Sequence, residues 1–214
     1  MSDGISRRRF LVLGSAAAGA IALGGAGYAA TWAPEVGASR MTMGAGMSKV
    51  LVVYGTGSGC TIGVAQQIGR TLSERGASVE VVAATAAPAP AGYDAVVVGS
   101  GVRAGNWHGP AKRWVCDNAA ALKEVPVAFF TACLTLATDP SKSDEVRAYT
   151  DPLIKECGVE PVDVGLFAGW NEPKKFNFIE RTILKMMKSP EGDFRDFGVI
   201  AAWAAATAPK LGLA

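Results

Sequence analysis

Val50-Leu51-Val52-Val53-Tyr54, followed by Gly55-Thr56-Gly57-Ser58-Gly59-Cys60-Thr61, is the stretch on which the reading of this chain turns. A short, continuous apolar run with β-branched residues, ending on glycine, predicts a strand buried on both faces. Beyond it Ile62, Ala65, Ile68 and Leu72 recur close to helical spacing before Gly76, so a helix is expected over 61–75. Backbone N–H groups of the intervening loop then gather at a helix N-terminus, where they and the helix dipole favour an anion. The hydroxyls of Thr56, Ser58 and Thr61 can donate to phosphate oxygens without adding a cation, and Gly57 and Gly59 let the main chain wrap closely. Such a neutral cradle suits a monophosphate that stays bound. A nucleoside-triphosphate loop requires Lys and then Ser or Thr after its last glycine, and here Ile62-Gly63 follows Thr61. The dinucleotide fingerprint fails too, because its third glycine falls on Ile62. A merely flexible turn is the alternative reading of the same glycines.

Outward from this unit, apolar runs recur at 78–83, 95–99, 125–131 and 162–167, separated by segments that can cross over a sheet. Helices are expected over 110–122, over 141–157 with a kink at Pro152, and over 194–207; the proline-rich 83–93 connection is too short for one. The expected fold is α/β: a doubly wound, five-stranded parallel sheet that gathers its ligand at the carboxyl ends of the strands.

Thr56-x-Ser58-Gly59-x-Thr61 resembles the phosphate loop of the flavodoxins, and the resemblance spans residues 49–214. It implies a flavodoxin-like fold holding FMN, with Thr56, Gly57, Ser58, Gly59, Cys60 and Thr61 around the phosphate. Two further loops would frame the flavin ring. One runs Gly99-Ser100-Gly101-Val102-Arg103-Ala104-Gly105-Asn106-Trp107-His108, where Ser100, Gly101, Val102, Arg103 and Gly105 border the ring. Trp107 is its candidate stacking residue, with packing onto the following helix as the alternative. Arg103 is a candidate partner for negative charge on the reduced ring or an acidic substrate, against a plain surface role. His108, the chain's one histidine, is a candidate proton donor, against a solvated loop histidine. The other loop is Thr131-Ala132-Cys133-Leu134, whose small or apolar side chains leave one ring face open to another molecule. No protein nucleophile or general base is required, and no catalytic residue is assigned.

Between the fifth strand and the last helix, residues 168–193 exceed a simple connection and read as an inserted helical segment. From Lys174 to Lys188 this segment carries Lys174, Lys175, Arg181, Lys185 and Lys188 against one acid, Glu180, with Phe176, Ile179, Ile183, Met186 and Met187 at helical spacing. A basic amphipathic helix of this kind suits an anionic membrane surface or a flat apolar substrate bearing carboxylates; its plain alternative is a helix packed on the domain. The insertion, the Val98-Gly99-Ser100-Gly101-Val102-Arg103 run and Phe167-Ala168-Gly169 resemble the flavodoxin-type protoporphyrinogen oxidases. That resemblance implies an oxidoreductase that passes electrons from a planar tetrapyrrole through FMN to menaquinone or another quinone. An electron-transfer or tetrapyrrole-binding protein without its own turnover is the second reading, and an NAD(P)H:quinone reductase a third.

The N-terminus departs from those enzymes, which are cytoplasmic. Ser6-Arg7-Arg8-Arg9-Phe10-Leu11 leads into an uncharged run to Ala33, which resembles a twin-arginine export signal. Residues 1–33 therefore read as a signal or membrane anchor for the twin-arginine translocase, and 34–48 as a linker, with Met47 as a candidate second start. The implied location is periplasmic, or the outer face of the cytoplasmic membrane. Haem synthesis is not expected there, which leaves room for a changed substrate.

The 214 residues, half of them apolar and 19% charged, exclude disorder, and a net charge of +2 excludes a whole-molecule drive onto nucleic acid. Beyond residue 48 the chain carries 17 basic and 17 acidic residues, unlike the acidic flavodoxin carriers. Cys60, Cys116, Cys133 and Cys157 are too few for a disulfide scaffold, and no pair has the C-x-x-C spacing of a zinc or redox site.

Overall fold

The computed structural model describes residues 40–176, 178–186 and 189–213; the arginine motif and the uncharged run after it lie outside the described residues. In chain order the strands are β1 Arg40–Met43, β2 Lys49–Gly55, β3 Ser78–Ala83, β4 Ala95–Arg103, β5 Asn106–Trp107, β6 Val127–Cys133, β7 Asp163–Ala168, β8 Trp170–Asn171 and β9 Gly192–Asp193. The helices are α1 Cys60–Glu74, α2 Gly109–Asp117, α3 Ala119–Leu122, α4 Thr135–Thr138, α5 Ser143–Arg147, α6 Asp151–Cys157, α7 Phe178–Met186 and α8 Phe197–Thr207.

The main sheet runs β1-β3-β2-β4-β6-β7, parallel from β3 to β7. From β2 the chain steps to β3 on one side and then crosses to β4 on the other, so strand order reverses between β2 and β4. That crevice is where a doubly wound sheet binds its ligand. Successive residues of β2 point to opposite faces, and both faces are covered. Val50, Val52 and Tyr54 pack with Val64, Ala65, Ile68 and Leu72 of α1 and with Ile200 of α8. Leu51 and Val53 pack on the other side with Ala111, Trp114 and Val115 of α2 and Leu153 of α6. Burying a side chain such as Ile68 or Leu72 contributes about 1.5 to 3 kcal/mol. Gly99 is required where β4 meets β6, because a side chain there would run into the Phe130 ring.

Four features differ from the sequence expectation. Arg40–Met43, inside the segment read as linker, pairs antiparallel with β3 and covers an otherwise open sheet edge. Arg40 is fixed there by an ion pair to Glu80 at 2.7 Å, and Tyr93 donates to the same carboxylate at 2.8 Å. The 110–122 segment breaks at Asn118 into α2 and α3. The 141–157 segment breaks into α5 and α6, with Pro152 in the first turn of α6, where its missing N–H costs nothing, rather than kinking a continuous helix. Cys116 of α2 and Cys157 of α6 form a disulfide with Cα atoms 4.6 Å apart, while Cys60 and Cys133 are free and buried.

Candidate functional site

The register places three strand ends side by side: Gly55 of β2 faces Ser100 of β4, which faces Thr131 of β6, and Gly101 faces Ala132. The phosphate-type loop and both ring-type loops named from sequence therefore meet at one edge of the sheet.

In the first loop, Gly59 takes a left-handed conformation (φ 89°) just before α1, and its N–H donates to Thr56 Oγ1 at 2.9 Å. Thr56 and Thr61 are buried. Thr61 Oγ1 has no hydrogen-bond partner among the described residues, and it lies 3.1 Å from where a Cβ on Gly101 would sit. Leaving a buried hydroxyl unsatisfied costs about 1 to 3 kcal/mol, so this orphan donor, held among loop amides, fits an anionic oxygen. With Ser58 the donor set is all hydroxyl and amide, which suits a monophosphate ester. Cys60 is buried between the loop and Gly169, and burial pushes its thiol up to about 11, partly opposed by the Arg195 charge. Burial raises Cys133 in the same direction. Both side chains are therefore neutral, packed thiols at pH 7 rather than reactive ones.

The second loop is a β-hairpin. Val102 pairs with Trp107 and Arg103 with Asn106 across Ala104 (φ 50°) and Gly105 (φ 74°), both in the left-handed region that such a tight turn requires. Ser100 is buried; its hydroxyl accepts the His108 backbone N–H at 2.7 Å and donates to Gly101 O at 2.7 Å.

The surroundings of three further residues of this loop bear on the roles considered for them. Trp107 is 5% exposed, donates its indole N–H to Thr131 Oγ1 at 3.0 Å and meets the Phe129 ring edge-on at 5.4 Å. These contacts are with β6 and occupy the Thr131 hydroxyl, and Trp107 also shares a buried cluster with Ala111 and Trp114 of α2. His108 is buried rather than solvated. Burial first, and then the Arg103 charge, lower its pKa to about 4, so its ring is uncharged at neutral pH. Arg103 pairs with Glu180 of α7 at 2.6 Å and is neither a surface residue nor directed at solvent.

Ala132 and Cys133 of the third loop are buried, and Leu134, half-buried, precedes α4. The insertion is drawn in through Glu180, the one acid of its basic run and the buried residue of α7. Its apolar residues face outward: Phe178 is 76% exposed, Ile179 62% and Met186 79%. α7 is thus not a helix packed on the domain by its apolar face.

Sequence reasoning missed Trp170 and Arg195, which bond to the phosphate-type loop, and Asp193, which holds Arg195. Trp170 donates its indole N–H to Ser58 Oγ at 3.3 Å, and Arg195 donates to Cys60 O at 3.0 Å while held by Asp193 at 2.6 Å. The Phe167-Ala168-Gly169 ending of β7 pointed to this place, since Trp170 follows it directly.

The family model that describes the flavodoxin domain matches residues 51–197. Among curated relatives, the chain is 24% identical over 150 residues to the protoporphyrinogen IX dehydrogenase [quinone] of Escherichia coli (strain K12), covering 69% of this chain and 83% of that one. It is 25% identical over 151 residues to the protein of the same name from Leishmania major, covering 69% and 65%. Among solved structures, a flavodoxin from the domain Archaea superposes with a TM-score of 0.50 at 18% identity, over 77% of this chain and 99% of that one, in agreement with the strand order.

Proposed function

This chain belongs to the flavodoxin domain family, and from that premise we propose that it is an exported FMN-dependent oxidoreductase passing electrons from a planar, tetrapyrrole-like donor to a quinone. The observation that carries the reading is the buried, partnerless Thr61 hydroxyl, set with Thr56 and Ser58 in a neutral loop at the strand-order reversal. FMN, when bound, would supply the electron storage.

The chain's own residues do the rest. Thr56, Ser58 and Thr61, with the loop amides, hold the phosphate ester. Ser100 to Arg103 and Thr131 to Leu134 would line the ring, with Ser100, Thr131, Ala132 and Cys133 buried. An uncharged His108 and two protonated thiols keep mobile charge away from the pocket wall. α7 presents Phe178, Ile179, Ile183 and Met186 beside Lys174, Lys175, Arg181 and Lys185, which suits a flat apolar molecule bearing carboxylates or an anionic membrane surface. The disulfide between α2 and α6 supports an oxidising compartment, consistent with the arginine motif and export by the twin-arginine route.

Purified full-length protein should be yellow, and oxidation of protoporphyrinogen IX with menaquinone should show steady-state turnover. Retained flavin without turnover would favour the second reading, an electron-transfer or tetrapyrrole-binding protein, which the outward apolar face of α7 also accommodates. Failure to bind FMN would end both readings.

A further inference from the structure

The insertion leaves and rejoins the domain through a short neck in which Trp170 pairs with Asp193 and Asn171 with Gly192. Its base is closed by the Phe194 N–H donating to Gly169 O at 3.1 Å. Asn171, buried, donates through its side chain to Ser189 O and Pro190 O at 3.2 and 3.0 Å, which holds the chain's return path. The neck does not stand clear of the phosphate-type loop. The Trp170 ring lies 3.5 Å from where a Cβ on Gly59 would sit, and its indole N–H reaches Ser58 Oγ.

Arg195 braces this indole from behind. Its guanidinium stacks over Trp170 at 4.3 Å and over Phe197 at 5.1 Å. Its Nε and Nη2 donate to the two Asp193 carboxylate oxygens at 2.8 and 2.6 Å, and its Nη1 to Cys60 O. With its charge answered by Asp193 and three of its five N–H donors held by Asp193 and Cys60 O, Arg195 supports the indole and the loop.

A hydroxyl that accepts one hydrogen bond still has its own proton to donate. Gly59 N–H occupies an acceptor site of Thr56, and Trp170 N–H occupies one of Ser58. Both oxygens are thereby biased to act as donors, which is the polarity a phosphate oxygen needs. We propose, building on the flavin reading above, that Trp170 is a positioning residue for Ser58 and Gly59, through which the neck of the insertion sets the chain's preference for a phosphorylated flavin.

The test is titration of the flavin-depleted full-length chain with FMN and with riboflavin, which lacks the phosphate, followed by flavin fluorescence. Trp170→Phe keeps the ring and removes the N–H. It should weaken FMN about three- to tenfold and leave riboflavin unchanged, the scale of one neutral hydrogen bond. In a Ser58→Ala background the same change should have no further effect. A purely structural role would lower both affinities together, and that result, or an unchanged FMN-to-riboflavin ratio, overturns the proposal. If Trp170→Phe does not fold, Asp193→Asn, which loosens the Arg195 brace, decides by the same ratio. A wild-type chain that binds FMN no better than riboflavin overturns this inference and the phosphate cradle together. A wild-type preference that survives both variants overturns this inference alone.

Discussion

Arg103, at the end of β4, and Glu180, on the insertion helix α7, form an ion pair of 2.6 Å with side chains 13% and 5% exposed. The pair ties the loop that borders the proposed ring site to the segment proposed to meet the substrate. Removing one charge of a largely buried pair is destabilising, by up to about 3 to 5 kcal/mol. Glu180→Gln should therefore lower the melting temperature and open the insertion to proteolysis between residues 174 and 188. Arg103→Met with Glu180→Leu should recover much of the lost stability, since an apolar replacement strands no charge. Thermal melts and protease mapping check both; a Glu180→Gln chain as stable and as resistant as wild type would refute the anchoring role.

Ser58 and Thr61 supply two of the three hydroxyls of the proposed cradle, and Thr61 Oγ1 has no hydrogen-bond partner among the described residues. Replacing both with alanine should weaken FMN by about 1 to 3 kcal/mol. Titration of the double variant checks this, and full flavin retention would reject the assigned cradle.

The contrast between what was legible and what was not lies in sequence separation. The strands were legible because parallel strands covered on both faces read as uninterrupted apolar runs, as at Val50–Tyr54 and Ala95–Gly99. The cradle was legible because its three hydroxyls and its glycines all lie within one turn of chain. Trp170 and Arg195 were not, since they meet Ser58 and Cys60 across 112 and 135 residues, and no local pattern encodes such a contact. β4 runs on through Ser100 and Gly101 because Gly55, Thr131 and Ala132 face them in register, and to Arg103 because Val102 and Arg103 pair with β5, conditions set by neighbouring strands rather than by composition. The insertion helix was legible in its period and misleading in its direction: an amphipathic pattern identifies an apolar face but not whether the domain covers it. Arg40-Met41-Thr42-Met43 alternates polar and apolar residues over four positions only, inside a Gly- and Ala-rich stretch, and its pairing depends on the exposed edge of β3.

The Cys116–Cys157 disulfide closes a loop with a sequence separation of 41 and leaves Cys60 and Cys133 as buried thiols. Thiol titration in denaturant should count two thiols among these four cysteines before reduction and four after. In the chain-entropy account such a closure contributes about 4 kcal/mol, so the reduced protein should melt at lower temperature. Four thiols in material purified without reductant would remove the disulfide's support for an oxidising compartment.

The exposed apolar residues of α7 lie among lysines, so association with anionic lipid should combine an apolar and a salt-sensitive part. Phe178→Ser with Met186→Ser should abolish co-sedimentation with phosphatidylglycerol vesicles, and Lys174→Gln with Lys175→Gln should weaken it most at low salt. Equal sedimentation by all three proteins would exclude α7 as the membrane contact.

His108 carries a pH signature with a defined sign. It packs against Gly55 at the mouth of the crevice, and burial, reinforced by Arg103, lowers its pKa from 6.5 to about 4 in the folded chain. Between those values the unfolded state binds the proton and the folded state does not, so stability rises with pH through this window. The contribution is fully present above about pH 6.5, is lost as pH falls towards 4, and changes no further below. At about 1.4 kcal/mol per unit, the loss is a few kcal/mol. Denaturant melts from pH 7 to pH 4 should show this slope in the wild type. His108→Gln, which cannot take up the proton, should show a flatter profile over the same range whatever its stability at pH 7. Parallel profiles for the two proteins would mean that the histidine titrates alike in the folded and unfolded chains, and that its ring is not held uncharged at the crevice.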